Sequence, residues 1–230
     1  MVQTKKSSIF AAQQQSMSIS IKNQFDSIIF DLDGTLWDST NNVALAWQAA
    51  LNEVDYIDEL MTQEKVRSIT GMTYDSIFDK LFPNLNVTQR AEVQSLCGKH
   101  ELEILHTRGG ELYPALDETL SYLAGRYKLF IVSNCQSGYI EVFFKISGME
   151  HYFMGHQCYG TKGKPKAENI KDIVIDHNLK TPVYIGDTMG DYDSATKAGV
   201  PFIFADYGFG KVEKGQIATI SNFDELTELL

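Results

Sequence analysis

Asp31 and Asp33 stand two residues apart at the end of an apolar run, Ile28-Ile29-Phe30, and lead into Gly34 and Thr35. Side chains two apart on an extended segment share a face, so both carboxylates point the same way. Carboxylates held that close repel unless a cation or a shared proton intervenes. The pair therefore suits a divalent metal ion, an acid/base couple, or both. A solvated Asp-Gly turn is the plain alternative, and later segments weigh against it. Lys128-Leu129-Phe130-Ile131-Val132 runs into Ser133 and Asn134, and Pro182-Val183-Tyr184-Ile185-Gly186 runs into Asp187, with Asp191 close behind. Lys162, Lys164 and Lys166 precede a further amphipathic segment. Each group alone is a weak signal; in this order, at the ends of successive apolar runs, they form a specific constellation.

The elements that must position these groups follow from the hydrophobic pattern. Short runs that are apolar on both faces suit central strands of a parallel sheet. Such runs occur at 28–30, 128–132, 182–186 and 200–204, with a less regular one between 151 and 159. Helical patterns alternate with them: Thr40 to Leu51, with Thr40 or Asn41 as cap; about 115–123; 136–147; a segment opening at Lys166 or Ala167; and one closing at Gly199. The alternation predicts an α/β fold, a Rossmann-like parallel sheet with helices on both faces. Residues 57–105 show helical patterns only, broken at Gly71, Phe82-Pro83-Asn84 and Gly98. The expected division is a flexible tail over 1–24, a core over 25–37 and 109–230, and an all-helical inserted cap over 38–108. In open α/β sheets ligands bind beyond the carboxyl ends of the strands, and the inserted helices would hang over that edge.

Composition narrows the partners. The chain has 230 residues, 43% hydrophobic and 22% charged, with a formal net charge of −10. An acidic surface argues against nucleic acid or an anionic membrane as partner. It also means that a bound cation or a local basic cluster must create any phosphate site. Cys97, Cys135 and Cys158 are odd in number and lack metal-ligand spacing, which favours free thiols and a cytoplasmic location. Residues 1–24 are rich in Ser, Gln and Lys, and no apolar run approaches a membrane span.

Taken together, Asp31-Leu32-Asp33-Gly34-Thr35-Leu36, Ser133-Asn134, Lys164-Pro165 or Lys166, and Gly186-Asp187-Thr188-Met189-Gly190-Asp191 resemble the four motifs of the haloacid dehalogenase superfamily. The resemblance covers about residues 25–230 and points to the phosphatase branch with a helical cap, phosphoglycolate-phosphatase-like or β-phosphoglucomutase-like. It implies a phosphoric monoester hydrolase in which Asp31 is the nucleophile and Asp33 the acid/base. Ser133 and a lysine would bind the phosphoryl group, with Gly34, Thr35 and Asn134 around it. The implied cofactor is Mg²⁺, held by Asp31, Asp187 and the backbone carbonyl of Asp33, with Asp191 supporting the shell. The Lys-Pro frame points to Lys164, whereas Lys166 lies nearer a helix N-terminus suited to anions; both remain candidates.

Departures from relatives narrow the chemistry. Members that cleave carbon–halogen or carbon–phosphorus bonds lack an acid at the position of Asp33. The mutase group carries a histidine ten residues beyond that acid; here the residue is Val43. Simple hydrolysis of a small phosphorylated metabolite, by a monomer or homodimer, is therefore expected ahead of phosphomutase action or silent phosphate binding. Trp37, Arg67, Thr70, Gly71 and Met72 are the candidates for substrate choice, with Arg67 suited to a carboxylate or second phosphate. Asp38 would cap the first helix, and Asp193 and Asp206 carry low expectation of chemistry.

Overall fold

The computed structural model describes residues 21–230. The chain runs through β1 (Ser27–Phe30), β2 (Trp37–Asp38), α1 (Thr40–Leu51), α2 (Gln63–Arg67), α3 (Tyr74–Leu81) and α4 (Val87–Arg108). It continues through β3 (Glu111–Leu112), α5 (Leu116–Ala124), β4 (Lys128–Ser133), α6 (Tyr139–Ser147), β5 (Phe153–Cys158), α7 (Tyr159–Lys162) and α8 (Lys166–Asp176). It ends with β6 (Pro182–Gly186), α9 (Met189–Ala198), β7 (Phe202–Ala205), β8 (Ala218–Ile220) and α10 (Leu226–Leu229). Six strands form one parallel sheet in the order β5-β4-β1-β6-β7-β8.

Alternate residues of each strand enter different cores, as the two-residue period of a strand requires. Ile28, Phe30, Leu129, Ile131, Val183 and Ile185 join one cluster with residues of α5, α6 and α10. Ile29, Phe130, Val132, Tyr184, Phe202 and Phe204 join the other with residues of α8 and α9. The three central strands are thus covered on both faces, which explains their unbroken apolar runs. The Rossmann-like α/β architecture read from the alternation is the one observed.

Helices α1–α4 leave the sheet after β1 and return before α5. Their entry and exit are clasped by the antiparallel pairing of β2 with β3, Trp37 opposite Leu112 and Asp38 opposite Glu111. This two-residue clasp was not foreseen, since neither segment has strand length or alternation. Among the described residues no strand lies between Thr40 and Arg108.

Several expectations need correction. Gly98 does not break a helix: it lies inside α4. A Cβ there would stand 2.8 Å from the Gln136 side chain and 3.1 Å from the Tyr74 hydroxyl, so close approach explains the glycine. The cap of α1 is Ser39 rather than Thr40 or Asn41, and Asp38 accepts the Thr40 N–H. The segment 218–220 adds a sixth strand because Ala205 and Ile220 pair at the sheet edge. The tail expected over 1–24 lies mostly outside the described residues. Ile21, however, is buried, and the Asn23 N–H donates to the Leu230 carbonyl at 3.4 Å.

Phe30 is fully buried in the central strand, with its ring 6.3 Å from Phe153 and 5.8 Å from Phe223. Phe30→Ala is expected to cost about 3–5 kcal/mol through lost burial and a residual cavity. The denaturant midpoint of unfolding measures it.

Candidate active site

The sheet determines which loops meet. β1 lies between β4 and β6, and the chain builds outward from it in both directions, so its end is the topological switch point where a crevice forms. Asp31 follows β1, Ser133 ends β4, and Asp187 follows β6. The Asp31 N–H donates to the Ile185 carbonyl at 2.8 Å, which extends the sheet ladder by one residue and fixes where its side chain starts. Asp31, Ser133 and Asp187 are all buried.

Asp31, Asp187 and Asp191 each present a carboxylate oxygen within 4.8 Å of the other two. One cation faces them. The Lys166 ammonium, itself buried, lies 2.9 Å from Asp31 Oδ1 and 2.6 Å from Asp191 Oδ1. Its well-aligned hydrogen bond goes to Asp191, so Asp31 gains charge compensation without a directed donor. Burial, then the Asp191 charge, push the Asp31 carboxyl up to about 7, against the opposing pull of Lys166. Burial and the charges of Asp191 and Asp31 raise Asp187 well above the carboxylate range. For Lys166 burial disfavours the charge, but Asp191 and Asp31 outweigh it and hold the ammonium above its ordinary range.

Asp191 is saturated. Thr188 N–H and Oγ1 donate to its Oδ2 at 3.0 and 2.6 Å, and Lys166 occupies Oδ1. Thr188 and Asp191 form the capping box of α9, so the helix start that holds Asp191 is also held by it. Asp187 differs: its Oδ2 accepts the Phe209 N–H at 2.7 Å, while Oδ1 is buried without a partner. Backbone crowds it. A Cβ on Gly34 would come within 2.2 Å of Asp187 Oδ2, and one on Gly208 within 2.2 Å of Asp187 Cβ. Gly34 also has φ +83°, which side-chain-bearing residues rarely adopt.

Asp33 faces a different set of groups. Ser39 Oγ and Tyr139 OH donate to its Oδ1 at 2.8 and 2.9 Å, and these two hydroxyls lie 2.6 Å apart. Its carboxylate is not part of the acidic triad. Burial pushes its carboxyl up to about 6 despite the hydroxyl donors. Thr35 is fully buried and its Oγ1 lacks a partner. Asn134 donates from Nδ2 to the Gly71 carbonyl at 2.8 Å, which ties the β4 end to the loop after α2.

Between these strand ends and α1–α4 lies a cavity of about 60 Å³, with Asp31, Asp33, Ser133 and Asn134 on the sheet side. Thr70, Gly71 and Met72 of the loop between α2 and α3 line it from the other side, as does Val43 of α1. Gly34, Thr35, Lys166, Asp187 and Asp191 lie behind that lining, around Asp31, and two further candidates lie away from the cluster. Lys164 is half exposed and pairs with Asp172 at 2.8 Å, because it precedes α8 and points along its outer surface. Arg67 pairs with Asp38 and lies over the Phe209 ring, 5.6 Å from its centroid, outside that cavity. Trp37 is fully buried against Tyr139 and Phe143, so it supports the wall and does not present a substrate-facing edge.

Sequence reasoning passed over Ser39, Tyr139, Tyr184, Thr188 and Glu101. The Thr188-x-x-Asp191 spacing is a readable capping-box signal. Tyr139 and Glu101 carry no local signal, because they meet Asp33 and the cavity only through tertiary packing.

Comparison with known proteins agrees with this architecture. Residues 28–205 match the family model of the haloacid dehalogenase-like hydrolases. A phosphoglycolate phosphatase of Aquifex aeolicus is 27% identical over 215 residues, covering 88% of this chain and 95% of that one. One of Vibrio parahaemolyticus is 27% identical over 220 residues, covering 88% and 93%. Among solved structures, a predicted phosphoglycolate phosphatase from Haemophilus somnus superposes with TM-score 0.77 at 22% identity, covering 90% of this chain and 98% of that one. That likeness concerns the fold. With a match that spans most of its length and the strand-end constellation in place, the chain belongs to the haloacid dehalogenase-like hydrolase family.

Proposed function

We propose that this protein is a Mg²⁺-dependent phosphatase that hydrolyses a small phosphorylated metabolite through a phosphorylated Asp31. The observation that carries the reading is the buried set of Asp31, Asp187 and Asp191, opposed among the described residues by the single ammonium of Lys166. Three carboxylates against one cation in a buried site call for a further cation. The unpartnered Oδ1 of Asp187 and the oxygen-only donor set fit Mg²⁺, which prefers hard ligands and keeps several waters. Asp31 and Asp187 would hold the ion, and Asp191 would orient the surroundings through Lys166 and Thr188. When bound, the ion offsets the charge between an anionic phosphate and an anionic nucleophile.

The side chains then divide the reaction. An Asp31 carboxylate oxygen forms a bond to phosphorus as the bond from phosphorus to the ester oxygen breaks. Asp33, with a carboxyl near 6, gives its proton to the departing alkoxide. Ser39 and Tyr139 both bond its Oδ1, which leaves Oδ2 for the transferable proton. Asp33 next takes a proton from water as the water oxygen attacks phosphorus and frees Asp31. Lys166 neutralises charge on Asp31 and the phosphoryl oxygens, while Ser133, Thr35 and Asn134 supply hydrogen bonds. Helices α1–α4 act as a cap that opens for substrate and excludes water when closed. The relatives named phosphoglycolate phosphatase support the phosphatase class.

The direct test is phosphate release from p-nitrophenyl phosphate with and without Mg²⁺. Wild-type turnover should require the ion, and Asp31→Asn should lose at least ~10³-fold in kcat. Turnover that survives either change refutes the mechanism. Lys166→Met should lose about 10²–10³-fold, whereas Lys164→Met should stay within about threefold because its charge is spent on a surface pair. Equal losses in the two variants would remove Lys166 from the site.

Metal binding should also depend on pH. Folded-state protonation of Asp31 near 7 and of Asp187 competes with the ion, so affinity must rise as pH rises through that range. Millimolar Mg²⁺ should raise the thermal midpoint more at pH 8 than at pH 5.5, and Asp187→Asn should abolish the increment. A larger increment at pH 5.5 would contradict this ligand set.

A further inference from the structure

The cavity beside Asp31 and Asp33 ends at a third carboxylate, Glu101 of α4, which is 3% exposed. Its Oε2 accepts the Trp47 indole N–H at 2.6 Å, and Oε1 accepts the Gln136 amide at 2.8 Å. Both donors are neutral, so they satisfy hydrogen bonds without compensating charge. A carboxylate offers about four acceptor positions, and two remain open. The rest of the polar lining has the same bias. Asn134 Oδ1 is buried without a partner, and its amide orientation is fixed by the Nδ2 bond to the Gly71 carbonyl. The buried Tyr74 hydroxyl in the same lining has no partner either. The remaining wall is apolar, from Val43, Val66, Ile69 and Ile77. No Lys, Arg or His is among the described residues that line it.

This reading rests on the phosphatase function above: the phosphoryl group lies at the Asp31 end, where Lys166 stands behind the lining 2.9 Å from Asp31 Oδ1, and the leaving alcohol extends toward Glu101. We infer that the preferred substrate is the phosphate monoester of a small amino alcohol, whose ammonium group pairs with Glu101. An ammonium supplies the missing positive charge and up to three donors for Glu101, Asn134 and Tyr74. Trp47 and Tyr74, with ring centroids 6.3 Å apart, add aromatic surface beside it. At about 60 Å³ the cavity admits only a few heavy atoms, since one water needs roughly 10–15 Å³ of such space. Burial pushes the Glu101 carboxyl up to about 7; an ammonium holds it ionised, whereas a leaving group that ends in a carboxylate, as in phosphoglycolate, meets either like charge or a carboxyl that must keep its proton, and finds no cation among the described lining residues. Selectivity therefore departs from the activity named in the relatives.

The test compares kcat/KM of the wild-type protein with Mg²⁺ for 2-aminoethyl phosphate, phosphoglycolate, glycerol 3-phosphate and p-nitrophenyl phosphate. The expected result is 2-aminoethyl phosphate ahead of phosphoglycolate by ~10²-fold, as differential binding to one charge requires. Glu101→Gln should lose most of that preference, chiefly through a higher KM for the amino ester. The wild-type ranking decides the matter even where the variant does not fold. Turnover of p-nitrophenyl phosphate with phosphoglycolate or glycerol 3-phosphate preferred over the amino ester overturns the substrate inference and leaves the phosphatase reading standing. Absence of turnover of every ester overturns both.

Discussion

The charge balance around Lys166 is the constraint on which the rest of the site depends. Asp31, Asp187 and Asp191 are buried together, and among the described residues only one ammonium reaches them. Ionised carboxylates in such a place are costly, and the cost shows in the weakened acidities of Asp31 and Asp187, whose carboxyls are pushed above the ordinary range. The protein does not relieve this by adding a second base. It saturates Asp191 with Thr188 and Lys166 and leaves Asp187 Oδ1 open. One carboxylate is a fixed support; the other keeps a free oxygen. A site left under-compensated in this way is suited to a cation, as a fully paired network would not be.

Holding such a site in place falls to the sheet and to close backbone approach. Asp31 and Asp187 leave neighbouring parallel strands, so their positions are set by the β1–β6 register, with Phe30 opposite Ile185. Gly34 and Gly208 then bring loop backbone against Asp187, closer than any side chain would allow. Asp33 lies two residues beyond Asp31, yet its carboxylate is outside the triad and belongs to Ser39 and Tyr139. Two acids with the same local sequence context thus acquire different environments. One is crowded by like charge, and the other is half-buried against neutral hydroxyls. That separation lets adjacent carboxylates take different parts in one reaction.

How much of this was legible in the chain follows the range of the interactions. The central strands could be read because burial on both faces leaves an unbroken apolar run. The strand-end acids could be read because their type and order are local. The two-residue clasp of β2 and β3 could not, since its stability comes from Trp37 packing on Tyr139 and Phe143, far along the chain. Gly98 looked like a helix break because its role is a contact with Gln136 and Tyr74, invisible at the level of propensity. The choice between Lys164 and Lys166 turned on helix geometry. Lys166 is the first residue of α8 and faces inward, whereas Lys164 lies outside the helix and finds Asp172. Motif spacing alone cannot separate two lysines two residues apart, of which burial brings only Lys166 to the acidic cluster.

The two ends of the cavity answer to different parts of the molecule. The Asp31 end is built from sheet register and glycine contacts, which any chain with this topology must reproduce. The Glu101 end is built from α1 and α4 together with Gln136, which precedes α6. Gln136 bridges both sides, since its amide also reaches the Gly98 carbonyl at 3.1 Å. Asn134 and Gly71 make a second bridge. Separation of the helices from the sheet would break these bonds together, so the polar lining of the cavity is assembled only in the closed arrangement. A ligand that satisfies Glu101 and Asn134 at once therefore stabilises closure as well as its own binding, and one that meets Glu101 with like charge opposes both. Under the proposed phosphatase reading, discrimination between leaving groups and exclusion of water would follow from the same few hydrogen bonds.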